Sequence, residues 1–325
     1  MADRTLTSWY VGIAQKSTGN FTYNPRMTRL QTILLLTIIL LVGLIPITIY
    51  LMEGNSLTGD IASLPTRETP RHEQAAQALA GLVVKPTYMM LCLAVIIALI
   101  GQTRPALVAL MWGQIAFLAG ETFCAINFYV YRHESLISEY LHSFGMALAF
   151  GLTLLALIEW VELLTNARRK PLFLKEIRAF TLFALPIFAM LTFIPLLAPL
   201  QTDAYTTSIF NVAYSYTRFE AYEIYERRVL PALSMIIFIV TFFYLLNGPP
   251  LMPFRAKAML CAGLGALGFA YFRLALNAIF VDSLVWFEFW EEATELMFVG
   301  AVAFALWRFK AFLEKTPLLA LLRSR

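Results

Sequence analysis

The chain of 325 residues is poor in charge. Only 14% of its residues are Asp, Glu, Lys or Arg, whereas 59% are hydrophobic and the mean hydropathy is +0.69. A soluble domain usually has about 25% charged residues, so this composition excludes an ordinary soluble protein. No polar stretch is long enough to form a separate soluble domain. We therefore predict a single membrane domain over residues 1–325.

Several features of other protein classes are also missing. The cysteines Cys92, Cys124 and Cys261 lie in apolar segments without paired spacing, which excludes a disulfide framework and a zinc knuckle. No removable signal peptide is evident, so the first apolar span is expected to direct insertion. There is no Walker loop or Gly-x-Ser-x-Gly elbow, and no catalytic residue is predicted. The net charge of +4 is spread between apolar segments, which argues against nucleic acid as a partner.

Apolar segments long enough to cross a bilayer recur along the whole chain. A helix needs roughly 20 apolar residues to cross ~30 Å of hydrocarbon. We predict an all-α integral membrane protein that forms an eight-transmembrane-helix bundle in contact with the lipid bilayer. The predicted spans are 30–51, 83–101, 105–130, 135–164, 177–199, 229–246, 257–281 and 284–307.

The distribution of Lys and Arg between these spans predicts the orientation. With both termini inside, the cytoplasmic segments carry 17 of the 25 Lys and Arg residues and the outside segments carry six. Because cytoplasmic loops are enriched in these residues, the N-terminus and the C-terminus are predicted to be cytoplasmic. The long outside loops are then 52–82 and 201–228, and the stretch 208–226 has the pattern of a helix lying on the membrane surface. No eukaryotic targeting sequence is present, so we expect the bacterial inner (plasma) membrane.

Polar residues inside the predicted spans fall in the outer half of the membrane. The last span carries four carboxylates at spacings of three, four and seven residues, which place them along one stripe of a helix. A carboxylate that faces lipid is unfavourable, so such residues usually face the interior of a bundle. We predict an outward-facing polar pocket between the third, fourth, seventh and eighth spans. Its candidate residues are Glu121, Cys124, Glu139, His142, Arg273, Asn277, Glu288, Glu291, Glu292 and Glu295.

The residue types of this pocket favour a metal site, with possible redox chemistry. Helix-bundle di-metal proteins use Glu from two helices and Glu-x-x-His from two others. Glu139 and His142 form one such motif, and a second is missing. Cys124 and Met146 are softer donors that would favour copper over iron. We predict that one or two iron or copper ions are bound by Glu121, Glu139, His142, Glu292 and Glu295, that Arg273, Asn277 and Cys124 surround the bound group, and that Glu288 and Glu291 are alternates.

Other interpretations of the same pocket stay open. A His, acidic residues and aromatic residues near one leaflet also suit a quinone- or lipid-binding subunit of an electron-transfer or anchoring complex, with membrane or periplasmic subunits as partners. Buried Glu and His side chains act as proton relays in transporters, which suits a proton- or ion-coupled transporter. Purely structural hydrogen bonds between helices are the remaining interpretation. Against it, Arg273 alone would have to balance at least six ionisable groups.

Overall fold

The computed structural model describes residues 64–131, 135–165, 170–200, 204–217, 220–248 and 251–308. In these residues the chain forms ten α-helices, two π-helical turns and one β-hairpin. The helices are α1 (Arg71–Leu79), α2 (Lys85–Leu99), α3 (Pro105–Tyr129), α4 (Leu136–Thr165), α5 (Lys170–Leu191), α6 (Phe193–Leu197), α7 (Glu220–Ile224), α8 (Leu230–Asn247), α9 (Phe254–Ile279) and α10 (Leu284–Arg308).

Six helical segments of the described chain are long and apolar enough to cross a membrane. They are Arg71–Leu99, Pro105–Tyr129, Leu136–Leu163, Leu174–Leu197, Tyr222–Asn247 and Phe254–Ile279. The helix α10 has 25 residues, which is a sufficient length, but its carboxylates make it too polar to meet the same criterion. The predicted span 30–51 lies outside the described residues. The part of the chain that the structure describes is therefore mostly helical and has six candidate membrane-spanning helices.

Two predicted spans begin earlier than expected because a π-helical turn continues each helix. The turn Ala80–Val84 joins α1 to α2, so the second span extends back into the predicted loop 52–82. The turn Tyr225–Val229 joins α7 to α8, so the sixth span extends back into the predicted loop 201–228. A π-helical turn holds an extra residue within a helix and is common at functional sites.

The predicted surface helix over 208–226 is wrong for residues 208–217, which belong to a β-hairpin, whereas residues 220–226 are helical. Strands β1 (Ala204–Ile209) and β2 (Val212–Thr217) pair antiparallel from Ala204↔Thr217 to Ile209↔Val212. Phe210 and Asn211 both have positive φ at the tip, as a tight hairpin turn requires. The buried residues Tyr205, Thr207 and Ile209 alternate along β1. Alternating Tyr, Thr and Ile favour a strand over a helix.

The helices pack in a continuous order around the bundle. The succession of neighbours is α5, α8, α9, α4, α3, α2 and α10, and α10 also contacts α9. The helices α2, α3, α4, α9 and α10 therefore surround a common interior. The hairpin packs against the beginnings of α1 and α10 through Ala76, Tyr205, Tyr216, Leu284 and Val285. It lies at the end of the bundle where the α3–α4 and α9–α10 turns are found.

Small residues allow the closest contact between these helices. A methyl group added to Gly145 of α4 would lie 2.8 Å from the carbonyl oxygen of Ala116 and from the Cα of Gly120 on α3. Only glycine fits at such a distance without a shift of the backbone. The contact brings α3 and α4 together next to His142 and Glu121, and so helps to place the two side chains beside each other.

The outer surface is apolar, as contact with lipid requires. On α5 a stripe at helical spacing is exposed; Phe183 and Met190 are each 71% exposed. Contiguous exposed apolar surface of this kind marks a binding or membrane surface. Together with the six long apolar helices, it indicates an integral membrane protein in contact with a lipid bilayer. The exposed stripe consists of Phe180, Phe183, Ile187 and Met190 of α5 and continues at Ile194 of α6.

Candidate functional site

Lys85 stands at the start of α2, directly after the π-helical turn, and points into the interior of the bundle. Its Nζ lies 2.6 Å from Glu292 Oε1 and 2.9 Å from Glu121 Oε2. It also lies 3.0 Å from the hydroxyl of Tyr88 and 3.4 Å from Cys124 Sγ. The Lys85 side chain is 3% exposed and the Glu121 side chain 0%. A buried ammonium is tolerated when carboxylates surround it in this way.

The Tyr88 hydroxyl joins the same two carboxylates. It contacts Glu121 Oε2 and lies 2.7 Å from Glu292 Oε2. Tyr88 is fully buried, and its ring packs edge-on against Phe117. Since a hydroxyl has one hydrogen, it donates to one carboxylate and accepts from the other only if that group is protonated. Tyr88 and Lys85 together hold α2 against α3 and α10.

His142 lies between Glu121 and Glu291. Its Nδ1 is 3.3 Å from Glu121 Oε1, and its Nε2 is 3.7 Å from Glu291 Oε1. Neither ring nitrogen has a hydrogen bond of good geometry within the described part of the chain, and the side chain is 2% exposed. Glu121 Oε1 also has no hydrogen-bond partner there. An unprotonated ring nitrogen of His142 and Glu121 Oε1 therefore have lone pairs available to bind a cation.

Glu295 is the most isolated carboxylate of the site. The residue is buried, and neither of its oxygens has a hydrogen-bond partner among the residues that the structure describes. A buried polar group without a partner usually costs about 1–3 kcal/mol, and a charged group costs more. Glu295 therefore needs a proton, ordered water or a cation. It lies one helical turn beyond Glu291 and Glu292, deeper in the bundle from the α9–α10 turn.

Arg273 of α9 forms the second charged centre. Its Nε lies 2.7 Å from Glu226 Oε2, and its Nη1 contacts Glu291 Oε1. Its Nη2 is 3.9 Å from Glu139 Oε1. Ser143 donates to the other oxygen of Glu226 over 3.0 Å. The guanidinium thus connects α9 to α4, to α10 and to the π-helical turn before α8.

Further polar pairs surround this centre. Asn277 donates to Glu223 over 2.6 Å, and Arg227 contacts the other oxygen of Glu223 at 2.6 Å. Gln77 of α1 donates to Glu288 over 2.6 Å. These carboxylates are therefore occupied by neighbours, and they stabilise the wall of the site more directly than they offer lone pairs to a ligand.

Three groups of side chains place one metal donor per residue within 4.8 Å of one another. Glu121, His142 and Glu295 each belong to two of the three groups. The same three residues hold five buried atoms without hydrogen-bond partners in the described chain. The groups are Glu121, Cys124 and His142; His142, Glu291 and Glu295; and Glu121, Glu292 and Glu295.

A cavity of about 80 Å³ adjoins this cluster. A water molecule requires about 10–15 Å³ by the same measure, so several water molecules fit. Its wall includes Lys85, His142 and Arg273, and it reaches Gln77 and Leu284 near the hairpin. The cavity therefore extends from the charged side chains toward the end of the bundle that carries the hairpin.

The structure brings most of the predicted metal-binding residues together. Glu121, His142, Glu292 and Glu295 all belong to the three groups, and so does Glu291, which the sequence offered as an alternate. Glu139 stays apart: it accepts from Asn127 over 3.2 Å and faces Arg273. The remaining predicted residues are Cys124, which belongs to one group, Arg273 and Asn277, which bind other carboxylates, and Glu288, which binds Gln77.

Sequence reasoning missed three residues of the site. Lys85 lies inside the predicted span 83–101, where a Lys is unusual, and this position was the available signal. Glu226 was assigned to a loop because the helix was expected to begin at 229. Tyr88 gave no signal, since Tyr is common in membrane helices. With Lys85, a second buried cation joins Arg273, so the charge balance is less uneven than the sequence indicated.

Comparisons of the chain with protein-family models, with curated proteins and with solved structures found no match. The side-chain geometry is thus the basis for the function proposed next.

Proposed function

We propose that the protein binds a transition-metal ion in the membrane through Glu121, His142 and Glu295. The observation that carries this proposal is the coincidence of two properties in the same side chains. Each side chain belongs to two of the three donor groups, and five of their buried donor atoms lack hydrogen-bond partners in the described residues. Each pair of these side chains shares one donor group, and a cation that drew the three together would accept a lone pair from each. This would remove the cost of three unsatisfied groups at once.

The charge of the site also supports a bound cation. Six buried or half-buried carboxylates, Glu121, Glu139, Glu226, Glu291, Glu292 and Glu295, lie near two basic side chains, Lys85 and Arg273. Even a protonated His142 would leave an excess of negative charge. Excess charge in a region of low dielectric is expensive unless a proton or a cation compensates it. A divalent ion reduces the excess by two.

The donor set favours iron over copper. Two carboxylates and one imidazole form a hard-to-intermediate set of ligands, whereas Cu(I) prefers thiolate and thioether donors. Glu291 and Glu292 lie close enough to complete the coordination, although Arg273 and Lys85 already contact them. Recruitment of Cys124, which belongs to one of the donor groups, would shift the preference toward copper.

We also propose the finer topology: eight spans, with both termini cytoplasmic, in a bacterial inner membrane. The excess of Lys and Arg in alternate segments supports this orientation. The cavity would then open toward the periplasmic side. Cysteine labelling from each side of the membrane, in single-cysteine variants at 131 and 248, tests the orientation: label at 131 from outside and at 248 from inside is expected.

Elemental mass spectrometry of the gently purified protein tests the metal site. The parent, purified without chelator, is expected to hold near-stoichiometric iron or copper. The double variant His142→Gln, Glu295→Gln is expected to lose it while it still elutes as a folded protein. Glu159→Gln is the matched control, because Glu159 is also a carboxylate beside a buried Lys, about 25 Å along α4 from His142. A parent without metal under metal-replete conditions contradicts the proposal.

Proton- or ion-coupled transport is the second candidate function. The specific observation is an unbroken series of ionisable groups across the bundle, with no gap above 3.7 Å. In proteoliposomes, an imposed proton or ion gradient should drive flux through the parent and not through His142→Gln. Absence of flux through the parent would exclude this function. Electron transport and membership of a larger complex remain predictions of the sequence. The series runs from Glu226 through Arg273, Glu291, His142, Glu121 and Lys85 to Glu292.

A further inference from the structure

We propose that Lys85 determines the ion specificity of this site: it is a tethered cation that competes for Glu121 and Glu292 and so excludes monovalent ions. This inference rests on the proposed metal-binding function. Lys85 would then do more than neutralise charge. Its ammonium lies between two carboxylates, in a position that a small cation would otherwise occupy.

The Lys85 ammonium lies between side chains that belong to the donor groups of the site. Glu121 and Glu292 both belong to one donor group with Glu295, and both contact Lys85 Nζ within 2.9 Å. Cys124, a member of another group, is 3.4 Å from the same nitrogen. Any ion that uses these carboxylates must share them with Lys85 or displace its ammonium.

The fold holds the ammonium in this position. Lys85 follows the π-helical turn Ala80–Val84, and Tyr88, one turn later on α2, contacts both the ammonium and the same carboxylates. The charged and titratable groups around Lys85 come from its own helix (Tyr88), from α3 (Glu121, Cys124 and Tyr129) and from α10 (Glu291, Glu292 and Glu295). Among these described groups Lys85 is the only cation.

Tethering makes the ammonium a strong competitor for ions of equal charge. A group attached to the chain competes at an effective concentration of millimolar or above, whereas a free ion must be taken from solution. At the same distance, a monovalent ion gains no more Coulomb energy from the carboxylates than the ammonium does. A divalent ion gains about twice as much at the same distance, so only an ion of higher charge competes well.

The second buried Lys–Glu cluster provides a matched control. Lys257 of α9 contacts Glu159 and lies 3.0 Å from Glu162 on α4. Its arrangement resembles that of Lys85 with Glu121 and Glu292, but it lies far along α4 from His142. The substitution Lys257→Met therefore removes the same charge from a similar environment outside the proposed site.

Binding of Mn²⁺, followed by electron paramagnetic resonance of the full chain in detergent, tests the inference. Lys85→Met should tighten Mn²⁺ binding at least about tenfold, because a unit positive charge is removed a few ångströms from a divalent ion. Added Na⁺ should weaken Mn²⁺ binding in Lys85→Met and leave it unchanged in the parent. Lys85→Arg, which keeps the charge, and Lys257→Met should both behave as the parent.

The outcomes separate this inference from the proposed function. If the parent and folded Lys85→Met both bind Mn²⁺ with the same affinity, Lys85 is a structural contact and the inference is overturned. If the parent, Lys85→Met and Lys85→Arg all bind no Mn²⁺, the inference is overturned, and the iron and copper content of the parent decides separately whether the proposed function fails. Binding of Mn²⁺ by Lys85→Met alone would support the inference.

A measurement on the parent covers the case in which Lys85→Met does not fold. The side-chain nitrogen signals of ¹⁵N-lysine-labelled protein report each buried ammonium, and Lys85→Arg identifies the signal of Lys85. Saturating Mn²⁺ should broaden or shift this signal and leave that of Lys257 unchanged. A Lys85 signal that does not respond at saturation overturns the inference.

Discussion

The substitution Glu295→Gln should have opposite effects on stability with and without the ion. In the metal-free protein, the carboxyl group of Glu295 is buried without a hydrogen-bond partner in the described chain. A neutral amide of similar size removes any charge that this group carries. We therefore expect the metal-free variant to be as stable as the parent or more stable, since an unpaired buried charge is destabilising.

With the ion bound, the order should reverse. An ion present at about 100 times its dissociation constant stabilises the folded state by about 2.7 kcal/mol. In domains of 150–250 residues, 1 kcal/mol shifts Tm by about 2–4 °C, so the parent should gain about 5–10 °C on addition of the ion. Glu295→Gln, which loses one of three proposed donors, should gain much less.

Thermal denaturation in detergent, with chelator and with added Fe²⁺, measures both effects. Glu159→Gln should show the ion-dependent gain of the parent, because Glu159 contacts Lys257 rather than the site. A parent whose Tm does not respond to the ion, or a Glu295→Gln variant with the full response, would refute the reasoning.

Three further substitutions test the packing and charge of the bundle. Arg273→Gln leaves the carboxylate of Glu226 buried without its cation and should destabilise the protein by about 3–5 kcal/mol in chemical denaturation, with partial rescue by Glu226→Gln. Burial raises the pKa of Tyr216, so the folded state keeps this proton at alkaline pH and loses stability as the pH rises above about 10. Tyr216→Phe should reduce that loss in pH-dependent melting curves and, because the hydroxyl lacks a partner in the described chain, should not lower stability at neutral pH. Gly145→Ala should lower Tm, since the added methyl meets backbone at 2.8 Å, whereas Gly268→Ala, with nothing within 4 Å, should leave it unchanged or raise it.

Helix positions were predictable where the chain itself marks the ends. The third span was expected at 105–130, and α3 is Pro105–Tyr129. Proline at the first helical position and a short polar turn after the helix fix these limits locally. The starts at Arg71 and Glu220 were not predictable, because a π-helical turn joins each span to a short preceding helix, α1 or α7, whose residues lack the hydrophobicity of a span.

The clustering of the polar residues could be predicted from their depth in the membrane, but the hydrogen-bond and ion-pair partners of each side chain could not. Glu121 and His142 lie at matching depths on helices joined by a short turn, so their proximity could be expected. The spacing of Glu139 and His142 places both on one side of α4, yet Asn127 and Arg273 draw Glu139 away from the cluster. Which side chain meets which neighbour depends on helix rotation, and no local pattern encodes that.

Anomalous diffraction from crystals of the native protein, recorded at the iron and copper absorption edges, would locate the proposed ion. We expect one peak inside the bundle, about 2.0–2.3 Å from a carboxylate oxygen of Glu121, a ring nitrogen of His142 and a carboxylate oxygen of Glu295. No peak in crystals grown without chelator, or a peak only beside Glu159 and Glu162, would contradict the proposed metal site.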